Sequence, residues 1–149
     1  MGGGMGIQIT EVERTITERN LMLGIDLIAL RNVAGNNREF SRMARRTYGL
    51  DPVKAALHAR VACAYGDRRD ITSRLNWAAL VALADAPEPI RRGFEERVLA
   101  GERVVANDIR RARLRHNRDA RNCCAISRSG MSACIRPHRA RCGTSSHQA

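Results

Sequence analysis

Residues 48–62 read YGLDPVKAALHARVA, and the order of stop, turn and cap within them decides the fold. Gly49 can take a positive φ at no steric cost, so it suits the end of a preceding helix. Asp51 and Pro52 then open the next helix: the carboxylate accepts a first-turn amide, and proline has no amide to lose at that position. The stretch has the outline of the turn and second helix of a helix-turn-helix, with the second helix reaching about Ala64.

Working outward, the spacing predicts a preceding helix from Arg38 to Tyr48, with Phe40, Met43 and Ala44 inward and Arg42, Arg45 and Arg46 outward. Before it, Thr10 with Glu11 and Glu13 marks a helix start, because a hydroxyl and first-turn carboxylates suit the unpaired amides there. Ile16, Leu23, Leu27, Ile28 and Leu30 carry that helix to about Val33, and Gly35-Asn36-Asn37 breaks it. After the quoted stretch, residues 65–73 (YGDRRDITS) read as a polar loop. A helix then spans about Asn76 to Ala84 around Trp77, Leu80 and Leu83. Pro87 and Pro89 separate it from another over about Ile90 to Ala100, which Gly101 stops. A last helix starts near Asn107 and fades at about Asn117.

The expected architecture is all-α, a small multi-helix bundle containing a helix-turn-helix. Its 149 residues are 44% hydrophobic and only 3% aromatic, enough for a single core and poor in the residues that favour sheets. The domain organisation expected is a flexible N-terminus over 1–9, a helical domain over 10–118 and a disordered tail over 119–149. That tail is rich in Arg, Cys and Ser without apolar period.

The formal net charge is +11, and of 26 basic residues only Lys54 is a lysine. Residues 110–149 hold ten Arg against Asp119 alone, a net of +9, whereas residues 1–109 hold 16 basic and 14 acidic residues, a net of +2. Guanidinium groups bind phosphate in a bidentate fork and release its condensed counterions, so the balance points to a polyanion partner. No apolar run is long enough to span a bilayer, and MGGGMGIQIT lacks the charged and apolar regions of a signal peptide, so no membrane association and a cytoplasmic location are expected.

The order GIDLIALRNVAGNNREFSRMARRTYGLDPVKAALHARVA, a polar loop, then LNWAALVALADAPEPIRRGFEERVLAGERVVANDIRRAR resembles an uncharacterised family encoded by phages, plasmids and integrated elements. The helical core of that family is similar to the central helix-turn-helix of plasmid partition protein B and KorB-type repressors. The likeness covers roughly residues 20 to 112. It implies that Met43 and Ala44 lie in the first helix of the motif, Tyr48-Gly49-Leu50 in its turn, and Ala55 at the small buried crossing position. Leu75, Trp77, Leu80, Leu83 and Ala84, with Ala100-Gly101-Glu102, Val105 and Ile109, match the helices that support the motif from behind. The function implied is DNA binding by an accessory or regulatory protein of a mobile element.

The candidate DNA-contacting residues are Arg42, Arg45, Arg46, Asp51, Lys54, Arg60, Arg68 and Arg69, within a segment, 38–74, that holds nine basic and four acidic residues, a net of +5. Phosphate contacts from such residues fix orientation without reading sequence. The exposed face expected of the second helix is Pro52, Val53, Ala56, Leu57 and Arg60, poor in the donors and acceptors that base edges require. The alternative reading is therefore a non-enzymatic interaction module, in which Val53, Ala56 and Leu57 meet a partner protein or a second copy of the chain. His58 falls where the motif wants an apolar residue and is expected to be structural. Cys134, His138 and Cys142 have a helical ligand spacing, but adjacent Cys123 and Cys124 do not match paired zinc ligands, so no metal and no cofactor is expected. No nucleophile, base and orienting group can be assembled from the sequence, and no enzymatic activity is expected.

Overall fold

The computed structural model describes residues 9–127, and all of its elements are helices. Among the described residues there are seven: α1 (Glu11–Val33), α2 (Asn37–Tyr48), α3 (Pro52–Tyr65), α4 (Arg69–Thr72), α5 (Trp77–Ala84), α6 (Glu88–Leu99) and α7 (Ala106–Ser127). The chain divides into two units, residues 1–115 and 116–149. The second is described only over 116–127, which is helical throughout. No described helix is long and apolar enough to cross a membrane.

Local chemistry sets most of the helix ends. Thr10 and Glu13 form a reciprocal capping box at α1, the Thr10 hydroxyl accepting from the Glu13 amide at 3.2 Å and the Glu13 carboxylate from the Thr10 amide at 3.0 Å. Asn36 caps α2, Asp51 caps α3 and Asn76 caps α5, each accepting from the amide three residues on. Gly49 closes α2 at φ 67°, and Gly101 follows α6 at φ 87°, both in the left-handed region where a Cβ is strained. Only Gly49, Leu50 and Asp51 separate α2 from α3.

Within residues 1–115, α1 is the spine, and its most extensive partner is α3. The two approach closely at Gly24, where a Cβ would lie 2.4 Å from the His58 carbonyl oxygen and 2.6 Å from the Ala62 Cβ. Two apolar clusters flank this crossing. Leu27, Phe40, Ala44, Ala55 and Ala59 tie the second half of α1 to α2 and the start of α3. Leu21, Val61, Tyr65, Ile71, Leu75, Leu80, Leu83, Val98 and Ile109 belong to a larger one that gathers α4, α5, α6 and the start of α7 behind α3. Ala55 is fully buried within the first of these clusters.

Several expectations are refined. The buried stripe of α1 is Thr17, Leu21, Gly24 and Leu27, and Ile16, one of the residues that carry its apolar spacing in the sequence, is 49% exposed. The stretch expected as a loop over 65–73 contains α4, a single turn held because Ile71 is fully buried in the larger cluster. The last helix passes Asn117 and continues to Ser127, so residues 119–127 of the expected tail are helical. The expected tail beyond Ser127, with Cys134, His138 and Cys142, and the expected flexible residues 1–8 lie outside the described residues.

The cap at Asp51 carries a prediction. Its carboxylate accepts from the Lys54 amide at 2.9 Å, and that bond holds its pKa below the ordinary carboxylate value. A lowered folded pKa means that the cap's stabilisation is present above the unfolded pKa, near 3.9, and is lost as pH falls through the lower folded value. Asp51→Ala should therefore lower the melting temperature at neutral pH, and Asp51→Asn should lower it much less, since asparagine also caps. The gap between wild type and Asp51→Ala should narrow as pH falls from the unfolded carboxylate value through the lower folded one. A gap unchanged by acid would show that Asp51 does not stabilise α3 through its charge.

Candidate nucleic-acid interface

The geometry of α2 brings together three of the expected contact residues and adds one. With about 3.6 residues per turn, Phe40 and Ala44 fall on one side of the helix, and both are buried, at 4% and 0% exposure. Arg42, Arg45 and Arg46 fall on the opposite side together with Arg38, and all four are exposed. None of the four has an ion-pair partner among the described residues. Arg38 could have been found from its spacing, since 38, 42 and 45 follow the i, i+4, i+7 rule of one helix face.

Neighbouring chemistry keeps these guanidiniums free. The acid on α2, Glu39, turns back to accept from the Gly35 amide at 3.0 Å, which holds it at the helix N-terminus. Arg45 and Arg46 stand in the last turn, where the partial negative charge of the helix C-terminus favours cations. The row from Arg38 to Arg46 is about 12 Å long at 1.5 Å per residue, which matches the axial rise of three to four base pairs.

The remaining expected residues are placed differently. Asp51 is occupied as the α3 cap, and the Lys54 ammonium lies 3.6 Å from its carboxylate. Arg60, on the outer face of α3, pairs with Asp85 at 2.7 Å and remains 56% exposed. Arg68 pairs with Asp70 at 3.2 Å and faces Glu95 at 3.6 Å, and its pKa is raised chiefly by the Asp70 hydrogen bond. Arg69 is exposed, at the start of α4. Arg42, Arg45 and Arg46 thus form a set, while Arg60 and Arg68 are each engaged by carboxylates of other elements.

The outer face of α3 is apolar and small. Val53 is 79% exposed, Ala56, Cys63 and Ala64 are exposed, Leu57 is half-buried, and Arg60 is the one charge along this face. His58 points the other way, stacking on Trp77 of α5 with ring centroids 4.9 Å apart. Its Nδ1 lies 2.8 Å from the Lys54 carbonyl oxygen, which it satisfies as a donor. The histidine therefore fills an apolar position by using its ring as a flat packing surface and its polar edge on its own helix.

The first half of α7 adds Arg110, Arg111, Arg113 and Arg115, all exposed and without ion-pair partners among the described residues. Among the described residues no group of three or more His, Cys, Asp or Glu side chains could hold a metal ion. Comparison of the chain with protein-family models, with curated proteins and with solved structures returns no match.

Proposed function

We propose that the protein is a DNA-binding accessory or regulatory protein of a mobile genetic element that holds duplex DNA chiefly through arginine–phosphate contacts. In this reading α2, the turn at Gly49–Asp51 and α3 act as a helix-turn-helix, with α2 crossing the backbone and α3 entering the major groove. The observation that carries it is the outward face of α2, where Arg38, Arg42, Arg45 and Arg46 are exposed with no ion-pair partner among the described residues. Unpaired guanidiniums need not give up a carboxylate before meeting a phosphate, so their full interaction goes into binding.

The α3 face would contribute shape rather than sequence. Val53, Ala56 and Leu57 can touch thymine methyl groups, and Arg60 alone can make a bidentate base contact, after leaving Asp85. Each good bidentate contact discriminates by about 1–3 kcal/mol. Titration of duplexes of different sequence should accordingly show affinities within about tenfold of one another at fixed salt. A preference of several hundredfold for one sequence would contradict phosphate-dominated binding.

The exposed apolar face favours a second reading. Val53 at 79% exposure, beside Ala56 and Leu57, is also the kind of surface that meets another protein. Under this reading Val53→Glu abolishes a complex or dimer visible by sedimentation and leaves DNA affinity unaltered. Under the DNA reading it places a carboxylate against the duplex and weakens binding.

A further inference from the structure

The cleft between the end of α3, the start of α4 and the first turns of α6 is a built polar cavity that DNA binding leaves unexplained. It has a volume of about 350 Å³, and its polar lining includes Tyr65, Arg68, Glu88, Arg91, Arg92 and Glu95. One wall is rigid. Tyr65, 1% exposed, donates its hydroxyl hydrogen to Glu95 Oε1 at 2.7 Å, and the other Glu95 oxygen faces Arg68 at 3.6 Å. Burial and the adjoining carboxylate push the Tyr65 phenol up, so it stays a donor at any physiological pH.

The opposite wall is loosely paired. Arg91 and Arg92 share Glu88, at 3.4 Å and 3.1 Å, in contacts that are partly or largely open to solvent. Exposed pairs of this kind contribute little to stability and exchange readily for a better partner. The donor count also exceeds the acceptors: each guanidinium carries about five N–H groups, whereas of the two lining carboxylates Glu95 already accepts from Tyr65 and Glu88 is split between two arginines. Arg68 is matched by Glu95 and by Asp70 just outside the lining, whereas Arg91 and Arg92 have only Glu88 between them, so the unmet capacity for donation lies with these two.

We propose that this cleft binds a phosphorylated small molecule, its phosphate taken by Arg91 and Arg92 in place of Glu88, with Arg68 held by Glu95 and Asp70 as a fixed third cation. Guanidiniums present a planar fork that matches phosphate oxygens, and a cavity of this volume is within the range of small-ligand sites. All of its lining residues lie within residues 1–115, and it rests on none of the α2 arginines, so it stands or fails apart from DNA binding.

The test is calorimetric titration of the full-length protein with pyrophosphate at moderate salt. Saturable one-to-one binding is expected, weakened at least tenfold in the Arg91→Gln, Arg92→Gln double variant. Glu88→Gln should tighten binding several-fold, since it removes the carboxylate that competes with the ligand. Arg19→Gln, at an exposed arginine that belongs neither to the cleft lining nor to α2, should leave it unchanged. Helical circular dichroism and melting of each variant establish that it is folded, and Glu88→Gln gives a gain that misfolding cannot imitate. Binding that is unsaturable, or that ignores Arg91, Arg92 and Glu88 alike, or that falls equally with Arg19→Gln, overturns the proposal.

Discussion

Gly24→Ala lowers the melting temperature, although alanine is the better helix former. The reason lies in what a Cβ would meet: the His58 carbonyl oxygen at 2.4 Å and carbon at 3.0 Å, and the Ala62 Cβ at 2.6 Å. Two of these three atoms are backbone, so no rotamer change relieves the clash, and α1 must move away from α3. Overpacking of this kind costs about 1–3 kcal/mol, more than the gain of roughly 1 kcal/mol that Gly to Ala brings within a helix. The α1–α3 pairing is the most extensive in residues 1–115 and borders both apolar clusters, so separation there loosens both. Gly24→Leu should prevent folding. Gly93 is the matched control: it also lies within a helix, nothing stands within 4 Å of its would-be Cβ, and Gly93→Ala should stabilise by about 0.5–1 kcal/mol. The same substitution then moves the melting temperature in opposite directions at two helical sites. A Gly24→Ala protein as stable as wild type would mean that α1 and α3 do not cross as closely as described.

Removal of three α2 arginines, in an Arg42→Gln, Arg45→Gln, Arg46→Gln variant, should weaken DNA binding about 100-fold at low salt. Each exposed contact is taken at about 1 kcal/mol, near the upper end for solvent-exposed ion pairs, and three such contacts multiply to roughly that factor. The fold should be unaffected, because these side chains are exposed and none is paired among the described residues. Arg60→Gln is expected to do less, since Arg60 must first leave Asp85, its partner at 2.7 Å. Arg60→Gln set against Arg42→Gln alone separates a contact surface from general basicity: a protein that binds only by net charge would lose about as much from either.

What the sequence made legible follows from the range over which each signal acts. Caps and stops are local, so Thr10 with Glu13, Asp51 with Pro52, Gly49 and Gly101 could be placed from a few residues each, and all stand at helix ends. Apolar period failed where the buried stripe is not apolar. In α1 the inward row includes Thr17 and Gly24, one buried with its hydroxyl donating to the Glu13 carbonyl and the other buried for want of a Cβ, so Ile16 was the wrong guide. The turn α4 is too short to show a period, and Ile71 reveals it only through tertiary burial. The helical residues beyond Asn117 have charge without an apolar face, which reads as tail when packing is the criterion.

The candidate interface divides in the same way. The α2 arginines could be recognised because inward Phe40 and Ala44 fix the opposite face by period alone. The engagement of Arg60 by Asp85, and of Arg68 by Glu95, joins residues distant in sequence and leaves no trace in local spacing. Basic residues counted along the segment 38–74 were therefore treated alike, while in the fold they divide into free and committed groups. The distinction matters because a committed guanidinium gains only the difference between two anionic partners.

The measurement that bears most directly on DNA binding by the folded helices is the salt dependence of affinity for a random-sequence duplex. It should be made on a chain ending at Ser127, which lacks the four arginines beyond that residue. If α2 grips phosphates, binding persists in the shortened chain, and the triple arginine variant lowers the slope of log affinity against log salt by about 2.7, near 0.9 for each lost contact. If binding disappears with the removed residues, or the slope is the same with and without Arg42, Arg45 and Arg46, then α2, its turn and α3 do not hold DNA.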